Sequence, residues 1–167
     1  MAMRARLRMA MVGLVGLLSA ATLTAWQATK GTLTHEGKSG TVVVSIKHAY
    51  LVKGPDMVTG KTIRRVVLSS ADVSAALKAC DRMMCADGGI GEGMTIDFDA
   101  DPRVNYWFVA SNQRVQYSGT ADPKTMKLTV DTPERVVGTW ELDARPAGGP
   151  QISVHFDAAL VKEIKGR

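Results

Sequence analysis

The chain has 167 residues, enough for one domain with a modest core, and 46% of them are hydrophobic, which excludes a disordered polyelectrolyte. Only 5% are aromatic, so the core must rest on Val, Leu, Ile, Met and Ala. The 21 basic and 16 acidic side chains give a net charge of +5, and its distribution decides what that excess means.

Arg4, Arg6 and Arg8 precede an uncharged apolar run from Met9 to Leu18, and the small residues Ser19-Ala20-Ala21 follow. This order is that of a secretory signal peptide. It predicts a leader over residues 1–21, with an alternative cut after Ala25, and a single β-rich domain over residues 31–163. The run is shorter than the roughly 20 apolar residues of a spanning helix. Membrane contact is therefore expected only through the leader before cleavage, and the expected address is periplasmic or secreted. Without the three leader arginines the balance falls to 18 basic against 16 acidic side chains, or +2. No dense Lys/Arg run remains, so nucleic acid is not an expected partner. An envelope ligand or protein is.

Gly31 to His35 predicts a short strand and Glu36 to Gly40 a turn. Thr41 to Val52 alternates with period two, placing Val42, Val44, Ile46, His48, Tyr50 and Val52 on one face. Gly54-Pro55-Asp56 ends that strand, and Lys61 to Leu68 forms the next. Ser69-Ser70 can cap a helix, with Asp72 in its first turn. Val73, Ala76, Leu77 and Cys80 then recur at helical spacing. The glycines between Asp87 and Gly93 cannot continue that helix and predict a flexible loop.

The remainder reads as a meander. Met94 to Ala100, Val104 to Ala110, Arg114 to Thr120, Met126 to Asp131, Val136 to Asp143 and Ile152 to Leu160 all alternate. Asp101-Pro102, Ser111-Asn112-Gln113, Asp122-Pro123, Thr132-Pro133 and Arg145 to Pro150 punctuate them. The expectation is a mainly β fold, an antiparallel β-sandwich or β-barrel of about eight or nine short strands with one inserted helix.

Both cysteines fall in the segment Cys80-Asp81-Arg82-Met83-Met84-Cys85. In an exported chain a close pair predicts a disulfide. A loop this short contributes roughly 2 kcal/mol in the chain-entropy model. The bond requires the helix to end near Cys80, because a continuous helix would strain it. The alternative is a copper-handling site, with Cys80, Met83, Met84 and Cys85 as soft ligands for Cu(I) and His35, His48 or His155 as additions. Asp97, Asp99 and Asp101 share a strand face, read as solvated. An EF-hand starting at Asp97 fails, with Pro102 where glycine is needed and Phe108 where glutamate is needed.

Neither a Gly-x-Ser-x-Gly elbow nor a phosphate-binding loop is present. No catalytic residue and no cofactor is expected, and the leading reading is a non-enzymatic ligand- or partner-binding module. His48, on the apolar face of its strand, is a core or rim histidine and a candidate binding residue. Trp107, opposite the apolar face of its own strand, marks either a binding surface or the floor beneath a second layer.

The strand Gly31-Thr32-Leu33-Thr34, the segment Lys47-His48-Ala49-Tyr50, the strand Arg65-Val66-Val67-Leu68-Ser69 and the closing Phe156-Asp157-Ala158-Ala159-Leu160 resemble small secreted bacterial proteins of uncharacterised families. The resemblance covers about a fifth of the chain. It implies a secreted β-rich domain and carries no activity or catalytic residue with it.

Overall fold

The structure is a computed structural model that describes residues 28–37, 40–100 and 102–165. The expected leader and Asp101 lie outside the described residues. Ten strands form one curled, half-barrel sheet: β1 (Lys30–Gly37), β2 (Gly40–Ile46), β3 (His48–Pro55), β4 (Thr62–Ser69), β5 (Gly93–Phe98), β6 (Val104–Ala110), β7 (Val115–Ala121), β8 (Met126–Asp131), β9 (Arg135–Asp143) and β10 (Gln151–Glu163). Two short helices, α1 (Ser74–Ala79) and α2 (Cys85–Gly88), interrupt the strands between β4 and β5. None of the described helices is long and apolar enough to cross a membrane.

The long strand β10 organises the sheet. Its first part lies between β1 and β9, both antiparallel to it. From Ala159 its last part runs parallel to β3, with a register shift between Leu160 and Lys162. From β3 the sheet continues through β4, β5 and β6 to β7, while β1 carries β2 and β9 carries β8. The expectation of a purely antiparallel sheet is thus corrected by one parallel pair. A strand as long as β10 reaches different neighbours at its two ends, which no local pattern reports.

The strand expected over Thr41 to Val52 is two strands. The chain turns at Lys47, whose N–H bonds Ser69 O at 3.0 Å, and passes from pairing with β1 to pairing with β4. The break shifts the alternation by one residue. Val44 and Ile46 face the interior, and so do Ala49 and Leu51, whereas Tyr50 and Val52 face outward. This split supplies the tenth strand.

Curling brings distant strands together inside. Trp140 of β9 meets Tyr106 of β6 edge-on at 5.4 Å between ring centroids. The indole N–H of Trp140 donates to Thr125 Oγ1 at 3.0 Å, so burial leaves it satisfied. Phe108, Phe156, Leu51 and Ile96 fill the space around them. Opposite Tyr106, Gly119 of β7 leaves room for the ring, since a Cβ there would lie 2.6 Å from it.

A second apolar cluster lies on the outer face. Ile63, Val67 and Val109 from the sheet meet Leu77, Met83, Ala86 and Ile90 from the helical segment. The alternating strands β4 and β6 are therefore buried on both sides. Met83 lies so close to β3 that a Cβ on Gly54 would come within 2.8 Å of its sulfur.

The helical segment departs from expectation in detail. Ser69 and Ser70 do not cap α1. Their hydroxyls donate to Ala71 O and Glu92, and Asp72 Oδ1 accepts the Ser74 N–H at 2.8 Å instead. The helix ends before Cys80 as expected, and the disulfide Cys80–Cys85 spans a Cα separation of 5.5 Å. A second helix then starts at Cys85 where no helix is expected, and takes in Asp87 and Gly88. The glycine-rich stretch after it is not a free loop. Gln113 Nε2 donates to the carbonyls of Asp87, Gly88 and Ile90, and Ile90 is fully buried.

Candidate functional site

The outer face of β4 to β7 beside the helical segment holds a recess of about 400 Å³. Register builds it. Thr95, Trp107 and Ser118 stand in one cross-strand row, and Arg65, Asp97, Asn105 and Thr120 in the next. Because side chains alternate across a strand, both rows face the same way. Asp87 of α2 closes one wall.

Arg65 holds that wall to the floor. Its Nε and Nη2 donate to the two carboxylate oxygens of Asp97 at 2.6 and 2.8 Å. Its Nη1 donates to Asp87 Oδ1 at 3.0 Å and to Met83 O at 3.1 Å. Burial works against the Arg65 charge, but hydrogen bonding to Asp97 and the two carboxylate charges raise its pKa. Asp87 is pushed above the usual carboxylate range, chiefly by burial and further by the charge of Asp97, against the pull of Arg65. Four of the five guanidinium N–H donors are engaged in this way. The cation is a brace, with little left to offer an anion.

The neutral groups differ. Asn105 and Trp107 are half-buried and Ser118 is exposed, and their side-chain polar atoms have no hydrogen-bond partner among the described residues. At the lip, Arg103 Nε donates to Thr120 Oγ1 at 3.1 Å. The recess therefore combines an indole ring, an amide, a hydroxyl and a pre-satisfied ion cluster.

Of the sequence-predicted residues, Trp107 lies in the recess and His48 does not. His48 sits outward on β3, stacked on Tyr50 at 6.2 Å, a correction to its expected place among the inward residues. The Tyr50 hydroxyl donates to Asp72 at 2.6 Å. Burial, then Asp72, push its pKa up to about 12. The same bond and the Ser74 N–H hold Asp72 well below the usual carboxylate range.

The four candidate copper ligands are split. The sulfurs of Cys80 and Cys85 are bonded to each other, Met83 is buried in the outer cluster and Met84 is exposed. Thiolate ligation would require opening the disulfide. His35 lies inward against Phe108 and Tyr117, and His155 outward on β10 in a separate hollow beside Lys30 and Thr139. Among the described residues no three His, Cys, Asp or Glu side chains are grouped to hold a metal.

The acidic face also separates. β5 ends at Phe98, and Asp99 takes a left-handed φ of 69°, so its carboxylate meets Arg64 while Asp97 meets Arg65. Asp97 is 16% exposed, not solvated. Sequence reading passed over Arg65, Asn105 and Ser118. Each is a single polar residue at an outward position of its strand, Arg65 on β4, Asn105 on β6 and Ser118 on β7, and the three acquire meaning together only once the register is known.

Comparison with protein-family models, with curated proteins and with solved structures gives no match to this chain.

Proposed function

We propose that this chain is an exported module of the cell envelope that binds a ligand or partner, without catalysing a reaction, through the recess around Trp107. The observation that carries the reading is the placement of Trp107 in one row with Thr95 and Ser118, beside an ion cluster in which Arg65 is already bonded to both carboxylates. Half-buried aromatic rings with unfilled neutral hydrogen-bonding groups are equipment for holding a molecule. The barrel interior is filled by Trp140, Phe108 and Phe156, so a ligand is taken on the outer face. The Arg4 to Ala21 leader pattern and the Cys80–Cys85 bond both suit an oxidising compartment.

Two measurements test this. The intact mass and fractionation of the expressed full chain should give a periplasmic or secreted product that has lost 21 or 25 residues. A thermal-shift screen of envelope-derived small molecules and peptides should find compounds that stabilise the native protein and not Trp107→Ala. An unprocessed cytosolic product overturns the export reading, and equal shifts in both proteins overturn the site.

A further inference from the structure

Resting on that reading of the recess, we propose that its ligand is an uncharged saccharide, seated on Trp107 and hydrogen-bonded by Asn105 and Ser118.

Three features point to this class. The first is size. Neighbouring strands lie about 4.8 Å apart and same-face residues about 6.7 Å apart along a strand. One row across three strands and one across four therefore present a patch roughly 10–14 Å by 7 Å. The recess volume, about 400 Å³, lies in the lower part of the ~300–1,000 Å³ range of small-molecule sites.

Charge is the second. The recess holds one guanidinium and two carboxylates, and Arg65 is committed to both carboxylates. A phosphate or carboxylate ligand would meet excess negative charge and little donor capacity. An ammonium ligand would find only the carboxylate sites that Arg65 leaves open, chiefly Asp87 Oδ2 on a side chain 24% exposed, and would leave the indole face, the amide and the hydroxyl unused. A neutral ligand disturbs neither pairing.

The third is the character of the unfilled groups. The Ser118 hydroxyl and the Asn105 amide each donate and accept, and the Trp107 indole N–H donates. Sugar hydroxyls also donate and accept. The apolar C–H face of a sugar ring complements an indole surface, which removes apolar area from water without needing charge.

The test is a two-dimensional NMR titration of the ¹⁵N-labelled mature protein. The probes are neutral di- and trisaccharides built from glucose, galactose, mannose or N-acetylglucosamine. An amino-sugar oligomer, a uronic-acid oligomer and an extended peptide serve as comparison arms. The expected result is that at least one neutral saccharide shifts the Trp107 indole resonance and the backbone amides of Asn105 and Ser118. Its affinity should change less than twofold between low and high salt and fall at least tenfold in Trp107→Ala. Ser118→Ala, on an exposed edge-strand position, gives a weaker loss and stands in if Trp107→Ala does not fold. Recess resonances that respond only to the amine, the anion or the peptide overturn the saccharide assignment and leave the recess as a binding site. Saccharides that leave the recess resonances unmoved also overturn the assignment. If no probe moves those resonances, the recess reading fails with it.

Discussion

Arg65 and Asp97 face each other across β4 and β5, directly opposite in register, and join through two parallel hydrogen bonds of 2.6 and 2.8 Å. Because the same guanidinium also holds Asp87 and Met83 O, this pair fixes the helical segment to the sheet and sets one wall of the recess. A forked arginine suits such a role, since its planar donors match a carboxylate and leave others for a third partner.

Replacing Arg65 by Met should therefore cost more than a surface ion pair. Two carboxylates with side-chain exposures of 16% and 24% would lose their cation. The expected loss is about 2–3 kcal/mol, below the full penalty for a dry buried pair because both retain some water contact. Urea unfolding measures it as a lowered midpoint at unchanged slope. Arg65→Lys restores charge but not the fork, and should recover only part of the loss. An unfolding free energy within roughly 1 kcal/mol of the native protein's would mean that the brace contributes no more than an exposed pair.

The second arginine gives a pH prediction. Arg64 donates from Nε and Nη2 to Asp99 at 2.7 and 2.8 Å, and from Nη1 to Asp131 and to Thr132 O across the end of the curl. The hydrogen bond to Arg64 and then its charge, against the opposing effect of burial, hold the Asp99 carboxyl below its ordinary 3.8. The folded pKa lies below the unfolded one, so the contribution is fully present above about pH 4 and is lost as pH falls through the folded value. Asp99→Asn should lower the melting temperature at pH 7 and show a shallower decline below pH 4. Melting curves at pH 7, 4 and 2.5 check this, and parallel declines for the two proteins contradict it.

Legibility in the sequence followed the range of the interaction. The alternation of Val66 and Leu68 against Ile63 and Val67, and of Tyr106 and Phe108 against Trp107 and Val109, is local, and both faces fell where the pattern places them. The Cys80–Cys85 bond was legible because its loop is short. Lys47, by contrast, looks like any polar strand position. The exchange of partners there depends on β1 and β4, and it carried His48 to the outer face. Asp99 left its expected face because one left-handed residue ends the parity. Trp107 was visible as an outward aromatic, but Asn105 and Ser118 were not. A recess made of two cross-strand rows exists only once four strands are aligned.

Opening the disulfide should act locally. The bond closes α1 against the start of α2, and the barrel strands pair without it. Cys80→Ser/Cys85→Ser should lose about 2 kcal/mol in the chain-entropy account. Hydrogen exchange should quicken over residues 74–90 while β9 and β10 stay protected. In the native protein neither cysteine should label with a thiol reagent, even after unfolding without reductant. Labelling of both under those conditions contradicts the bond.

Gly54 and Met83 allow a sharper test of how that segment docks. A Cβ on Gly54 would lie 2.8 Å from the Met83 sulfur and 3.0 Å from Ile164 Cβ. The sulfur sits on a flexible side chain and can give way, whereas Ile164 Cβ is fixed to its backbone. Gly54→Ala should thus cost about 1–2 kcal/mol by overpacking. Met83→Ala should cost about 2–4 kcal/mol by leaving a cavity in the outer cluster. The two losses should not add. With the sulfur gone, the alanine methyl meets space on one side, and the double variant should be more stable than the sum predicts by about 1 kcal/mol. Chemical denaturation of the four proteins closes the cycle. Strict additivity would place Met83 away from Gly54 and remove the contact that seats the helical segment on β3.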